Sequence, residues 1–158
     1  MRYRRVVLGL ALALALALVL TPSVVSAASD SFMEPKKDAN YVAAEKAVKA
    51  NDYRGAIALL DKVVKTDPKN ASAFNYLGYS HRKLGDFDRA LGHYQQALKL
   101  DPDHRGAHEY LGELYLQMKD LVRAQQHLDR LDKICIFGCE EYTDLKEAIM
   151  AYKAKQSS

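Results

Sequence analysis

From residue 38 to residue 133 the apolar positions recur at spacings of three and four, interrupted at regular intervals by short polar turns. That periodicity predicts amphipathic helices. The spacing places them as pairs, 38–50 with 53–66, 71–84 with 87–100, and 105–118 with 121–133. Within each pair the break falls at Asn51-Asp52, Gly85-Asp86 or Lys119-Asp120. An Asp there can accept from the free backbone N–H groups that open the second helix. Between pairs, Asp67-Pro68 and Asp101-Pro102 stop the chain, because Pro removes a donor and disfavours helix in the residue before it. A last stripe, Tyr142, Leu145, Ile149 and Tyr152, predicts one more helix over 140–154. Glu140 and Glu141 suit its N-terminus, and Lys153 and Lys155 its C-terminus.

The interruptions have a fixed period. Asp52, Asp86 and Asp120 lie 34 residues apart, as do Ala56, Ala90 and Ala124. Leu77-Gly78 recurs as Leu111-Gly112 at the same interval. A constant period of this length indicates stacked helical units rather than a closed globular core. Gly78 and Gly112 fall in mid-helix, where Gly costs ~1 kcal/mol relative to Ala. Repeating that cost implies close backbone approach between paired helices, with Ala56, Ala90 and Ala124 as the small residues on the second helices. Phe74, Leu77, Leu98 and Leu111 are the bulky residues expected to fill the remaining core.

On these residues the chain resembles the tetratricopeptide repeat family. The unit 71–104 carries its pattern through Phe74, Leu77-Gly78, Ala90, Tyr94, Ala97 and Pro102, with His81 where Tyr is usual. The unit 37–70 keeps Ala56 and Pro68 but has Ala43-Ala44 in place of Leu-Gly. The unit 105–138 keeps Leu111-Gly112, Tyr115 and Ala124 but lacks the final Pro. The resemblance implies an all-α fold, a right-handed α-solenoid of three helix-turn-helix units closed by a capping helix and tail over 139–158. It also implies a concave groove, lined by the first helix of each pair, that holds a protein or peptide partner. Carried across by repeat position, the groove would present Tyr41 and Glu45, then Asn75, Tyr79 and Arg82, then Glu109 and Glu113. Asn75 could pair with a ligand's backbone amide, and the tyrosines offer rigid amphipathic area. The basic residues of the family's carboxylate-clamp members are missing. Glu45, Glu109 and Glu113 would repel a peptide carboxylate.

The first 27 residues change the charge balance. Arg2, Arg4 and Arg5 precede the apolar run Val6 to Leu20, and Val25-Ser26-Ala27 supplies small residues at a cleavage point. This is the layout of a secretory signal peptide, since an apolar run of 15 residues falls short of the ~20 that span a bilayer. Cleavage would leave a leader over 28–36, no stable membrane insertion, and a periplasmic or secreted product. The whole chain has 23 Lys and Arg against 20 Asp and Glu. All three arginines of the leading segment depart with it, so the remaining charge is balanced and nucleic acid is not the expected partner.

Chemistry is confined to one place. Where earlier units carry Asp-Pro, the third carries Cys135, followed by Ile136, Phe137, Gly138 and Cys139. In an oxidising compartment this pair is expected to form a disulfide that fixes the last helix. Such a bond would add roughly 2 kcal/mol in the chain-entropy model, with Gly138 letting the chain turn. The spacing also resembles the copper motif of Sco-type proteins, and His104 and His108 could complete a Cys2His2 group with Cys135 and Cys139. A redox-active dithiol is a third reading. His93 and His127, equivalent in successive units, are expected on a solvated helix face. No phosphate loop, nucleophile elbow or catalytic triad is discernible, so neither a resident cofactor nor an enzymatic activity is expected.

Overall fold

A computed structural model describes residues 37–157. The expected signal peptide (1–27) and leader (28–36) lie outside the described residues. Seven helices follow in order: α1 (Ala39–Lys49), α2 (Tyr53–Thr66), α3 (Ala71–Lys83), α4 (Phe87–Leu100), α5 (Arg105–Gln117), α6 (Leu121–Ile134) and α7 (Glu140–Gln156). No strand occurs among the described residues.

Each of α1 to α6 begins where a side chain can replace the missing intrahelical acceptor. Asp52 accepts from Gly55 N, Asp86 from Arg89 N and Asp120 from Arg123 N, at 2.9, 3.2 and 2.9 Å. Asn70 and His104 do the same for α3 and α5, accepting from Ala73 N and Ala107 N. The residue ahead of each capping Asp has positive φ, 61° at Asn51, 80° at Gly85 and 62° at Lys119. This one left-handed residue reverses the chain within each pair. Gly and Asn adopt it readily, whereas Lys119 does so against its side chain.

Between pairs the turns share a hydrogen-bond pattern. Asp67 N donates to Val63 O and Asn70 N to Asp67 O, and Asp101 N and His104 N repeat both bonds one unit later. The third joint has them again, with Cys135 N donating to Leu131 O and Gly138 N to Cys135 O. In the first two joints an Asp carboxylate also gathers the turn, Asp67 from Lys69 N and Asp101 from Asp103 N. Cys135 has no such acceptor. Its sulfur is instead bonded to that of Cys139, with Cα atoms 5.6 Å apart, which ties the turn to the start of α7. Gly138, with φ of 83°, lets the chain come back.

The close approach expected at the glycines is present, but with different partners. A Cβ on Gly78 would lie 2.6 Å from the Tyr94 ring of α4, its own pair-mate. A Cβ on Gly112 would lie 2.5 Å from Leu145 of α7, not against α6. The reason is register. Leu128 stands where Tyr94 stood, and Leu145 falls 34 residues after Leu111. The last helix is therefore placed as the first helix of a fourth unit, with Leu145 and Ile149 buried against the third.

The arrangement has a direction. Helices α1 and α3 touch, as do α3 and α5 and then α5 and α7, whereas α2, α4 and α6 do not approach one another. First helices thus crowd together on the inside of the curve and second helices splay on the outside. The packing argument yields a paired expectation. Gly78→Ala should destabilise by about 1–3 kcal/mol through overpacking against Tyr94. Gly92→Ala, on exposed α4 surface with nothing within 4 Å, should stabilise by ~0.5–1 kcal/mol. Urea denaturation of the two variants checks this; equal effects would mean that Gly78 is not a packing contact.

Candidate binding groove

Crowding of the first helices creates a cavity of about 320 Å³ on the concave side. It is lined by Tyr41 from α1, Asn75 and Tyr76 from α3, and Glu109 and Tyr110 from α5. Ser72, His104 and Gly106 close one side, and Glu140, Glu141 and Asp144 of α7 the other. Tyr41, Asn75 and Glu109 occupy the same place in successive units, so the 34-residue period stacks them along the groove.

One wall is built by a relay that runs from the cap of α5 through α3 to α1. His104 Nδ1 accepts from Ala107 N at 3.1 Å, so the other ring nitrogen carries the proton. That Nε2–H donates to Ser72 Oγ at 3.1 Å. Ser72 in turn interacts with the Tyr41 hydroxyl. Burial pushes the Tyr41 phenol up to about 12, and it stays neutral.

The floor holds two buried polar groups. Asn75 is 5% exposed, and its Oδ1 has no hydrogen-bond partner among the described residues. Its amide stands opposite Gly106, where an added Cβ would come within 3.2 Å of Asn75 Nδ2. Glu109 is 7% exposed. Burial, reinforced by Glu113, Asp144 and Glu141, pushes its carboxyl up to about 8 despite an opposing effect of Arg82.

The remaining expected groove residues form a second, closed cluster. Arg82 is 6% exposed, and its guanidinium is bonded to Glu113 at 2.5 Å. It lies over the rings of Tyr79 and Tyr110, at 5.3 and 5.7 Å from their centroids. Tyr79 is wedged between Tyr110 and Tyr53, with centroid distances of 4.8 and 6.1 Å. Arg82 is thus neutralised within the wall and is not a free cation in the groove. Glu45 faces Lys37 at 4.0 Å near the N-terminal end.

Several lining residues escaped the sequence reading. Tyr76 and Tyr110 are separated by 34 residues, which was a visible signal. Glu140, Glu141 and Asp144 were assigned only to a cap. The spacing from Leu111 to Leu145 could have shown that their helix joins the groove.

The histidines differ from expectation. His93 and His127 are not on a solvated face. His93 stacks between Phe74 and His81, with centroids 6.2 and 5.2 Å away, and His127 packs between His108 and Tyr115 at 5.2 and 5.6 Å. The trio Phe74, His81, His93 recurs one period later as His108, Tyr115, His127. His108 Nε2 must donate to Pro102 O, leaving its Nδ1 to accept from His127 Nδ1 at 2.9 Å. Burial and the neighbouring His108 hold His127 down to about 4.

These bonds also dispose of the four-ligand grouping. Both sulfurs are joined to each other, His104 caps α5, and His108 is held by Pro102 and His127. Among the described residues no group of three or more His, Cys, Asp or Glu side chains is placed to hold a metal ion. No helix there is long and apolar enough to cross a membrane.

Paired helices, recurring turns and a groove of first helices define a tetratricopeptide-repeat protein. Residues 49–131 match the family described as anaphase-promoting complex, cyclosome, subunit 3, and the chain belongs to it. No curated protein matches the chain. Solved structures share the fold. The first repeat domain of Spaghetti (RPAP3), bound to the HSP90 peptide SRMEEVD, is 20% identical with a TM-score of 0.62, over 71% of this chain and 89% of that one. The Yersinia enterocolitica type III secretion chaperone SycD, in complex with a peptide of the translocator YopD, is 21% identical with a TM-score of 0.64, over 74% and 92%. The TPR2B domain of yeast Sti1, from its pHsp70 complex, is 17% identical with a TM-score of 0.66, over 75% and 95%.

The raised Glu109 carboxyl has a stability consequence. The folded state keeps its proton up to about pH 8, whereas the unfolded chain releases it near 4.5. Glu109 therefore costs nothing below pH 4.5, stability falls as pH rises from there to about 8, and the loss is complete above 8. Relative to the parent, Glu109→Gln should gain about 2 kcal/mol or more of stability between pH 4 and pH 9. Chemical denaturation across that range checks it; parallel curves for the two proteins would contradict the burial argument.

Proposed function

We propose that this protein is an exported peptide-binding module, an assembly or scaffold factor that holds an extended segment of a partner protein along its concave groove. The observation that carries the reading is the cavity itself. It is lined by four successive first helices and holds a buried Asn75 whose carbonyl oxygen lacks a partner among the described residues. An extended backbone offers a donor and an acceptor at each residue, which is what a primary amide can meet. Tyr41, Tyr76 and Tyr110 supply the rigid apolar area that such binding needs. Relatives of the same fold have been solved with peptides of HSP90 and of a translocator, which supports the same use of the groove here.

Export rests on the basic, apolar and small-residue order of residues 1–27. A disulfide at Cys135 and Cys139 is consistent with an oxidising destination. The exported protein should begin at or near Ala28 by N-terminal sequencing. Recovery of a membrane-bound product that still carries Met1 to Ala27 would overturn this part of the reading.

Binding is tested by selecting phage-displayed peptides on the protein beginning at Ala28, then measuring affinities in solution. Replacing Asn75 and Tyr41 by Ala should together weaken a selected peptide by about 1–3 kcal/mol while helicity is kept. If affinity is unchanged, and a substitution on the outer face such as Val122→Asp removes it instead, the groove is not the binding surface.

A further inference from the structure

We infer that the groove cavity is a subsite for a basic side chain, the ammonium or guanidinium of a Lys or Arg in the bound segment. This deepens, and rests on, the peptide-binding reading.

The lining carries Glu109, Glu140, Glu141 and Asp144 and no Lys or Arg. Two cations stand beside lining tyrosines: Arg82, over Tyr110, is consumed by Glu113, and Lys37, over Tyr41, faces Glu45 at 4.0 Å. Acidic residues alone would be a weak warrant, since Glu140 and Glu141 also serve the N-terminus of α7, whose Cys139 cap makes no side-chain hydrogen bond. Two further features have no such role. Among the described residues, Glu109 is buried without an ion-pair partner, and Asn75 beside it is nine-tenths buried with an unused carbonyl oxygen. Ionising a carboxyl buried among other carboxylates is unfavourable unless something positive enters. Tyr41, Tyr76 and Tyr110 surround the same space, and tyrosine faces attract cations once water is excluded. Carboxylate, amide oxygen and aromatic faces together are the set that recognises an organic cation.

Size supports one side chain rather than a free ligand. About 320 Å³ is near the lower bound of small-molecule sites. A second cavity, lined by Lys37, Asp38, Tyr41, Asn70 and Ser72, adjoins it along the inner face and shares Tyr41 and Ser72 with it, which leaves room for flanking backbone on that side. The preference is opposite to that implied by the acidic end of SRMEEVD, the peptide bound to the Spaghetti domain.

The test uses an array of random dodecapeptides probed with the protein beginning at Ala28. Lys and Arg should be enriched several-fold at one position of the bound set. In solution, changing that residue to Gln should weaken binding at least tenfold, and to Glu further. E109Q and D144N should together erase the difference between the Lys and Gln peptides, while the Gln peptide binds them within twofold of the parent. D144N alone, at an exposed position of α7, should lose part of the difference, so the result does not hinge on refolding around Glu109. Asp88→Asn, on α4 away from the groove, should change nothing. Bound peptides without basic enrichment, or a Lys peptide held equally well by the double variant, would overturn the subsite and leave peptide binding intact. Free cadaverine matching the peptide's affinity would overturn its assignment to a peptide side chain. No peptide bound at all would instead remove the peptide-binding reading, and the subsite with it.

Discussion

The contact on which the structure depends is that of a backbone against a large side chain. At Gly78 there is no Cβ, so α3 settles onto the ring of Tyr94, and the two helices of the pair close tightly. Gly112 makes the equivalent concession to Leu145, one helix further on. The first approach closes an inner helix on its outer pair-mate, the second seats one inner helix on the next, and inner helices meet along the stack while the outer ones diverge. Curvature follows from that difference, and the groove follows from curvature. A fold with long-range closure would hide the same residues in a core; here each unit buries its apolar face only on its neighbours.

Once the inner helices are stacked, the 34-residue period turns one sequence position into a row. Tyr41, Asn75 and Glu109 come from that position, and α7 adds acidic residues at its end. Shape and charge then have a common origin. Arg82, which would have offset the negative charge, is drawn into the wall by Glu113 and two tyrosine rings. What is left facing the cavity is negative and aromatic. The disulfide at Cys135 and Cys139 acts on the same geometry from outside, since it ties the start of α7, and hence one wall of the cavity, to the end of α6.

Helices, turns and pairing were legible because each has a local cause. Asp caps, Asp-Pro stops and the three-and-four apolar spacing fixed α1 to α6 within about a residue. The row of Tyr41, Asn75 and Glu109 was legible from the period alone. Partners in three dimensions were not. His93 and His127 looked solvated because nothing local reveals that His81 and His108 pack against them. Arg82 looked available because its neutralisation depends on Glu113, a residue of the next unit. Gly112 was matched to the wrong helix because the α7 register hangs on one recurring leucine, Leu145, amid a sequence that otherwise departs from the repeat.

The central claim is that the inner helices, including α7, form one binding surface. Amide chemical-shift mapping on the protein beginning at Ala28, titrated with a peptide selected on it, tests this most directly. The account predicts shifts concentrated at Tyr41, Ser72, Asn75, Tyr76, Glu109 and Asp144, with α2, α4 and α6 changed little. Shifts concentrated on the outer helices, with Asn75 and Glu109 unmoved, would contradict it.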